Sequence, residues 1–121
     1  MAISFATNAT GVLLTVEAFA PLLLKSKEYG NTPRIISVSS GAGSMARRLD
    51  PAAGPHKLGM KSIAYCSSKC AMNYITVAQS IHYGEQGFKV FAFTPGFVVR
   101  NPGPQNTAEQ GARPTSEGRR Q

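Results

Sequence analysis

The chain has 121 residues, 42% of them apolar and 16% charged, with a formal charge of +7 at pH 7; this sets a ceiling of one domain and is a globular composition up to about position 100. The basic residues are spread along the chain, with only Arg47-Arg48 and Arg119-Arg120 adjacent. No basic stripe of the kind that tracks a phosphate backbone is present, so no nucleic-acid partner is expected, whereas a basic pocket for a phosphorylated cofactor is compatible with the charge.

Residues 9–27 place Val12, Leu13, Val16, Phe19, Leu22 and Leu23 at the i, i+3, i+4, i+7 recurrence of a helix buried on much of its surface. The apolar stretch 11–24 contains Glu17 and Pro21, falls short of the roughly 20 residues that cross a bilayer, and has no basic leader, so neither a membrane anchor nor a signal peptide is expected. Gly30, Asn31 and Pro33 end the helix. Residues 34–39 (RIISVS) are largely apolar and rich in β-branched side chains, which predicts a short strand buried on both faces, as in a parallel sheet.

Residues 41–62 show no periodicity and read as a long loop of the kind that borders functional sites. Helical spacing resumes over 64–83 through Ala64, Ala71, Tyr74, Ile75, Ala78 and Ile81, with Gly84 and Gly87 as terminators. Residues 88–93 (FKVFAF) form a second strand that Pro95-Gly96 ends. Beyond it, residues 101–121 mix Pro and Gly with polar side chains and predict an extended or mobile segment outside the core. The order helix, strand, long loop, helix, strand is α/β, and two strands are too few for the sheet that such helices cover.

Cys66 and Cys70 are the only cysteines; without other ligands nearby they read as small apolar fillers rather than a metal site, and free thiols fit a reducing, cytoplasmic setting. His56 in the loop and His82 near a helix end have no partner suggested by spacing. Tyr65 and Lys69, by contrast, stand four residues apart in the helical stretch and so share a face. A phenol with an ordinary pKa near 10 donates a proton poorly at neutral pH, and a neighbouring cation favours its phenolate. Such a pair can protonate a nascent alkoxide, or it can be a pair of surface side chains.

Read together, ISVSSGAG, AYCSSKCAMN and FTPGFVV resemble the short-chain dehydrogenase/reductase family, in which a strand-end serine, a YxxxK helix and a Pro-Gly turn occur in this order. The segment ATNATGVLLTVEAFAPLL is similar to the helix that bears the family's active-site asparagine, and the resemblance runs over about 5–117. It implies a Rossmann-like, doubly wound parallel sheet of which residues 1–100 are the catalytic half and 101–121 a substrate-loop remnant or disordered tail. By the same resemblance Tyr65 is the general acid in reduction, Lys69 lowers its pKa and holds the nicotinamide ribose, and Ser40 hydrogen-bonds the substrate carbonyl oxygen. Asn8 corresponds to the asparagine that holds a water linking the lysine to a proton relay. Pro95, Gly96 and Val98 fall where the family brings main chain against the nicotinamide. Two positions after Val98, where the family commonly has threonine, this chain has Arg100.

The resemblance further implies NADP or NAD as cofactor, a small-molecule carbonyl or alcohol as substrate, and a homo-oligomer for the full-length parent. Ser39 and Ser40 could equally be turn residues and Asn8 a helix cap. No GxxxGxG stretch occurs in the sequence; the family's glycine-rich turn cradles the pyrophosphate, so the expectation is a C-terminal catalytic portion, inactive as this fragment. The alternative is a non-catalytic interaction module that pairs with full-length subunits through its two helices.

Overall fold

The computed structural model describes residues 1–96; Val98, Arg100 and the segment 101–121 lie outside the described residues. Helix α1 (Ala2–Phe5) runs through a π turn (Ala6–Thr10) into α2 (Gly11–Lys25) and a closing 3-10 turn (Ser26–Tyr29). The helix is therefore longer than its apolar periodicity suggested, because the π turn carries it through Asn8 without a break. Over Ala2–Tyr29 its 28 residues are long and apolar enough to cross a membrane by length and composition alone, a test that a core helix of a soluble protein also passes. Gly30 ends the run with φ +74, a left-handed conformation that favours glycine.

Strand β1 (Arg34–Val38) pairs in parallel with β2 (Lys89–Phe93), with Arg34 opposite Lys89 and Val38 opposite Phe93. Between them come a 3-10 turn (Gly41–Gly43), helix α3 (Met45–Leu49), two further 3-10 turns (Gly54–Lys57 and Met60–Ser62) and helix α4 (Ile63–Gly84). The stretch expected as an irregular loop is thus a string of short helical turns. Ser44 caps α3 by accepting from Arg47 N at 3.3 Å, and Arg48 Nη1 donates to Pro55 O at 2.6 Å, which folds 44–57 back on itself.

Among the described residues, one face of the sheet is covered. Ile35 and Ser37 are buried whereas Ile36 and Val38 stand exposed, so the expectation of burial on both faces is not met: no described element lies on the second face. Val16 and Ala20 of α2 join Ile35 and Phe88 in the core, with Leu23, Tyr83 and Val90 packed at its margin. Phe19 and Leu22, expected inside, are exposed.

Helix α4 also turns the other way from its apolar periodicity. Its buried residues are Ser68, Met72, Thr76 and Gln79, while Tyr74 and Ile81 are 78% and 66% exposed. Ser68 Oγ donates to Tyr65 O at 2.8 Å and Thr76 Oγ1 to Met72 O at 2.9 Å. The Ser68 and Thr76 hydroxyls are satisfied within the helix, whereas the buried Gln79 carboxamide has no hydrogen-bond partner among the described residues, so the cost of taking this partly polar stripe inside falls on Gln79.

Candidate active site

The site forms where β1 ends against α4. Parallel pairing places the C-terminal ends of β1 and β2 side by side, with Ser39 N donating to Phe93 O at 2.7 Å. Ser40 and the Thr94-Pro95-Gly96 turn therefore leave the sheet at the same edge, the edge at which open α/β sheets bind ligands. Gly96 has φ +74, so the chain turns there in a conformation that a side chain would resist.

Tyr65 and Lys69 share a face of α4, as their spacing required, with the Lys69 Nζ 6.0 Å from the centre of the Tyr65 ring. Lys69 Nζ donates to Val38 O at 2.8 Å, which ties the helix to the last residue of β1. Burial lowers the Lys69 ammonium from its ordinary pKa of 10.5, because a partly desolvated cation loses hydration. Tyr65 is 44% exposed.

Ser40 opens the 3-10 turn that follows β1, and its Oγ accepts from Ala42 N at 3.2 Å. With the oxygen engaged in this way, the hydroxyl proton remains available to donate outward. The turn residue and the candidate substrate ligand are thus one and the same side chain in two uses.

Asn8 lies in the π turn, half-buried, and its Nδ2 donates to Ser68 Oγ at 3.0 Å. Since Ser68 bonds in turn to Tyr65 O, the asparagine side chain is joined to the helix turn that bears the phenol. It is not an N-cap: residues on both sides of it are helical. Single π turns inside α-helices recur at functional sites because they leave a carbonyl out of the regular ladder. Apolar periodicity carries no signal for one.

Sequence reading missed two residues that build this corner. Asn73, one turn beyond Lys69 on the same face, accepts from Ser39 Oγ and donates from Nδ2 to Gly43 O at 3.3 Å. Gly43 sits against the α4 backbone so closely that a Cβ there would meet the Lys69 carbonyl carbon at 2.7 Å. The GAG cluster after the serines and the i+4 spacing from Lys69 were the available signals. His56 is engaged in the loop, its Nδ1 2.9 Å from Arg48 O, and Cys66 and Cys70 are free thiols. Among the described residues no His, Cys, Asp and Glu cluster could hold a metal ion.

The short chain dehydrogenase family model matches residues 2–110. The chain belongs to that family. Similar short-chain dehydrogenases include eupG of Phoma sp, 38% identical over 75% of this chain and 35% of that protein. Another is anuI of Penicillium roqueforti, 33% identical over 91% of this chain and 44% of that protein. Among solved structures, the NADPH-bound carbonyl reductase from chicken fatty liver superposes with a TM-score of 0.68 at 28% identity, over 84% of this chain and 40% of that one. The chain spans less than half the length of these relatives, and its parallel strands and flanking helices are a part of a Rossmann-like short-chain dehydrogenase fold that is carbonyl-reductase-like.

Proposed function

We propose that these residues form the proton-transfer corner of an NAD(P)-dependent carbonyl reductase or alcohol dehydrogenase acting on a small carbonyl or alcohol. The observation that carries the reading is the junction of β1 and α4, where Lys69, bound to Val38 O, stands beside Tyr65 and Ser40 emerges at the same sheet edge. In reduction the Ser40 hydroxyl donates to the substrate carbonyl oxygen. Tyr65 gives its proton to that oxygen as it becomes an alkoxide, and the Lys69 ammonium stabilises the phenolate left behind. Asn8, in its π turn, supports the path by which the phenol is reprotonated.

The donor set fits the nicotinamide end of a dinucleotide. The Lys69 ammonium suits ribose hydroxyls, and the Pro95-Gly96 turn at the mouth of the sheet offers main chain to a carboxamide. When bound, the dinucleotide supplies the hydride, a chemistry that no side chain here provides. NADP is the cofactor we favour, on the likeness to an NADPH-bound reductase and the net charge of +7. The glycine-rich cradle for the pyrophosphate is not among the 121 residues, so a polypeptide limited to them is inactive. Residues 1–100 are the catalytic half in this reading and 101–121 a substrate-loop remnant or disordered tail.

The exposed apolar faces of α2 and α4, with Leu14, Tyr74, Val77 and Ile81 outward, support homo-oligomer formation through these helices, and they equally favour the second reading, a non-catalytic module that pairs with full-length subunits. In that setting the long apolar helix Ala2–Tyr29 is covered by protein rather than lipid, and the free thiols suit the cytoplasm. The test is Tyr65→Phe in the intact protein that carries these residues. Loss of carbonyl reduction by about 10²-fold or more with NADPH binding retained is expected; undiminished turnover would overturn the acid role and leave the interaction module standing.

A further inference from the structure

We propose that Asn73 is a positioning residue that sets the place of the Ser40 hydroxyl by binding the chain on both sides of it. The proposal rests on the reading of Ser40 as the group that holds the carbonyl oxygen.

Helix α4 presents Tyr65, Lys69 and Asn73 at successive i+4 steps, so all three occupy one stripe. The segment that leaves β1 is bound to that stripe three times: Val38 O by Lys69 Nζ, Ser39 Oγ by Asn73 Oδ1, and Gly43 O by Asn73 Nδ2. Ser40 is the residue enclosed by these ties. Its own Oγ makes one internal contact, with Ala42 N, and depends on the main chain on either side for its position relative to Tyr65.

The requirement at 73 is specific. A carboxamide presents an acceptor and a donor in one planar group, and both are used here. Leucine fills the space with neither, and aspartate keeps the acceptor but sets an oxygen against Gly43 O. The close approach of Gly43 to the Lys69 carbonyl brings the segment near enough for so short a side chain to reach. A reacting group displaced by about 1 Å loses on the order of 10²-fold in rate, so the tie acts on kcat rather than on cofactor affinity.

The experiment measures NADPH oxidation by the intact protein with 4-nitrobenzaldehyde as the probe, in Asn73→Leu, Ser40→Ala and the double variant. Asn73→Leu is expected to lower kcat about tenfold or more with the KM for NADPH unchanged, and to have no further effect in the Ser40→Ala background, since a residue acting through Ser40 has nothing left to position. If Ser40→Ala lowers kcat and Asn73→Leu does not, Asn73 is not a positioning residue while the reading of the site survives. If the two effects multiply, Asn73 acts elsewhere and the proposal fails. No turnover by the unaltered protein, or an unchanged kcat in Ser40→Ala, removes the reading of the site and the proposal with it. Should Asn73→Leu not fold, Ser39→Ala cuts the same tie from the other end and is expected to show the same loss and the same non-additivity; its absence overturns the proposal.

Discussion

A methyl group added at Gly43 would lie 2.7 Å from the carbonyl carbon of Lys69 and 2.9 Å from its oxygen, so the chain leaving β1 rests directly on the helix turn that carries the lysine. Backbone of a 22-residue helix cannot swing aside as a side-chain end can. The absence of a side chain at 43 is what lets the serine segment and the Tyr65–Lys69 face meet at hydrogen-bonding distance.

Gly43→Ala is therefore expected to destabilise the intact protein by about 1–3 kcal/mol through overpacking. Gly59→Ala, with φ −74 and nothing within 4 Å of the added Cβ, is the control and is expected to be neutral or slightly stabilising. Urea unfolding of the two variants checks both, and equal stabilities would refute the contact.

At Gly30 the cost has a different origin. Nothing lies within 4 Å of an added Cβ, but φ is +74, so Gly30→Ala is expected to cost about 1–2 kcal/mol in backbone conformation alone. Thermal unfolding reads the loss. A variant as stable as the unaltered protein would mean that the turn closing the long helix adopts another conformation.

Ser68 is fully buried and stands between Asn8 Nδ2 and Tyr65 O. Ser68→Ala leaves the asparagine amide without its acceptor, at an expected cost of about 1–3 kcal/mol. Because Asn8 lies in the π turn, faster amide hydrogen exchange over Ala6–Thr10 should accompany the loss. Unaltered exchange there would show that the turn does not depend on this bridge.

The lowered pKa of Lys69 carries a sign for stability. Between that lowered value and 10.5 the unfolded chain holds the proton more firmly than the folded one, so this group makes stability rise as pH is raised through the window. In Lys69→Met that contribution is absent. The unaltered protein should gain on the variant as pH approaches 10.5, and a difference in unfolding free energy that stays constant with pH would count against a desolvated lysine.

What the sequence determined by itself is local or is carried by motif order. Tyr65 and Lys69 share a face because any helix places i and i+4 together. The strands over 34–38 and 89–93 followed from short runs rich in β-branched and aromatic side chains, and the order of serine pair, YxxxK and Pro-Gly pointed to the family that the comparisons then showed. The tertiary structure decided which side of each helix goes inside. In α4 the stripe Ser68, Met72, Thr76, Gln79 is buried although intrahelical bonds answer only the Ser68 and Thr76 hydroxyls and leave the Gln79 carboxamide unpartnered among the described residues, so burial follows what a neighbour covers rather than apolar content alone. It also decided the π turn at Asn8, the two-sided grip of Asn73 and the contact of Gly43 with Lys69. Asn73 and Ser39 are 34 residues apart in the chain, and periodicity reports only on neighbours within a turn or two, so contacts of that separation exist only once the elements have packed.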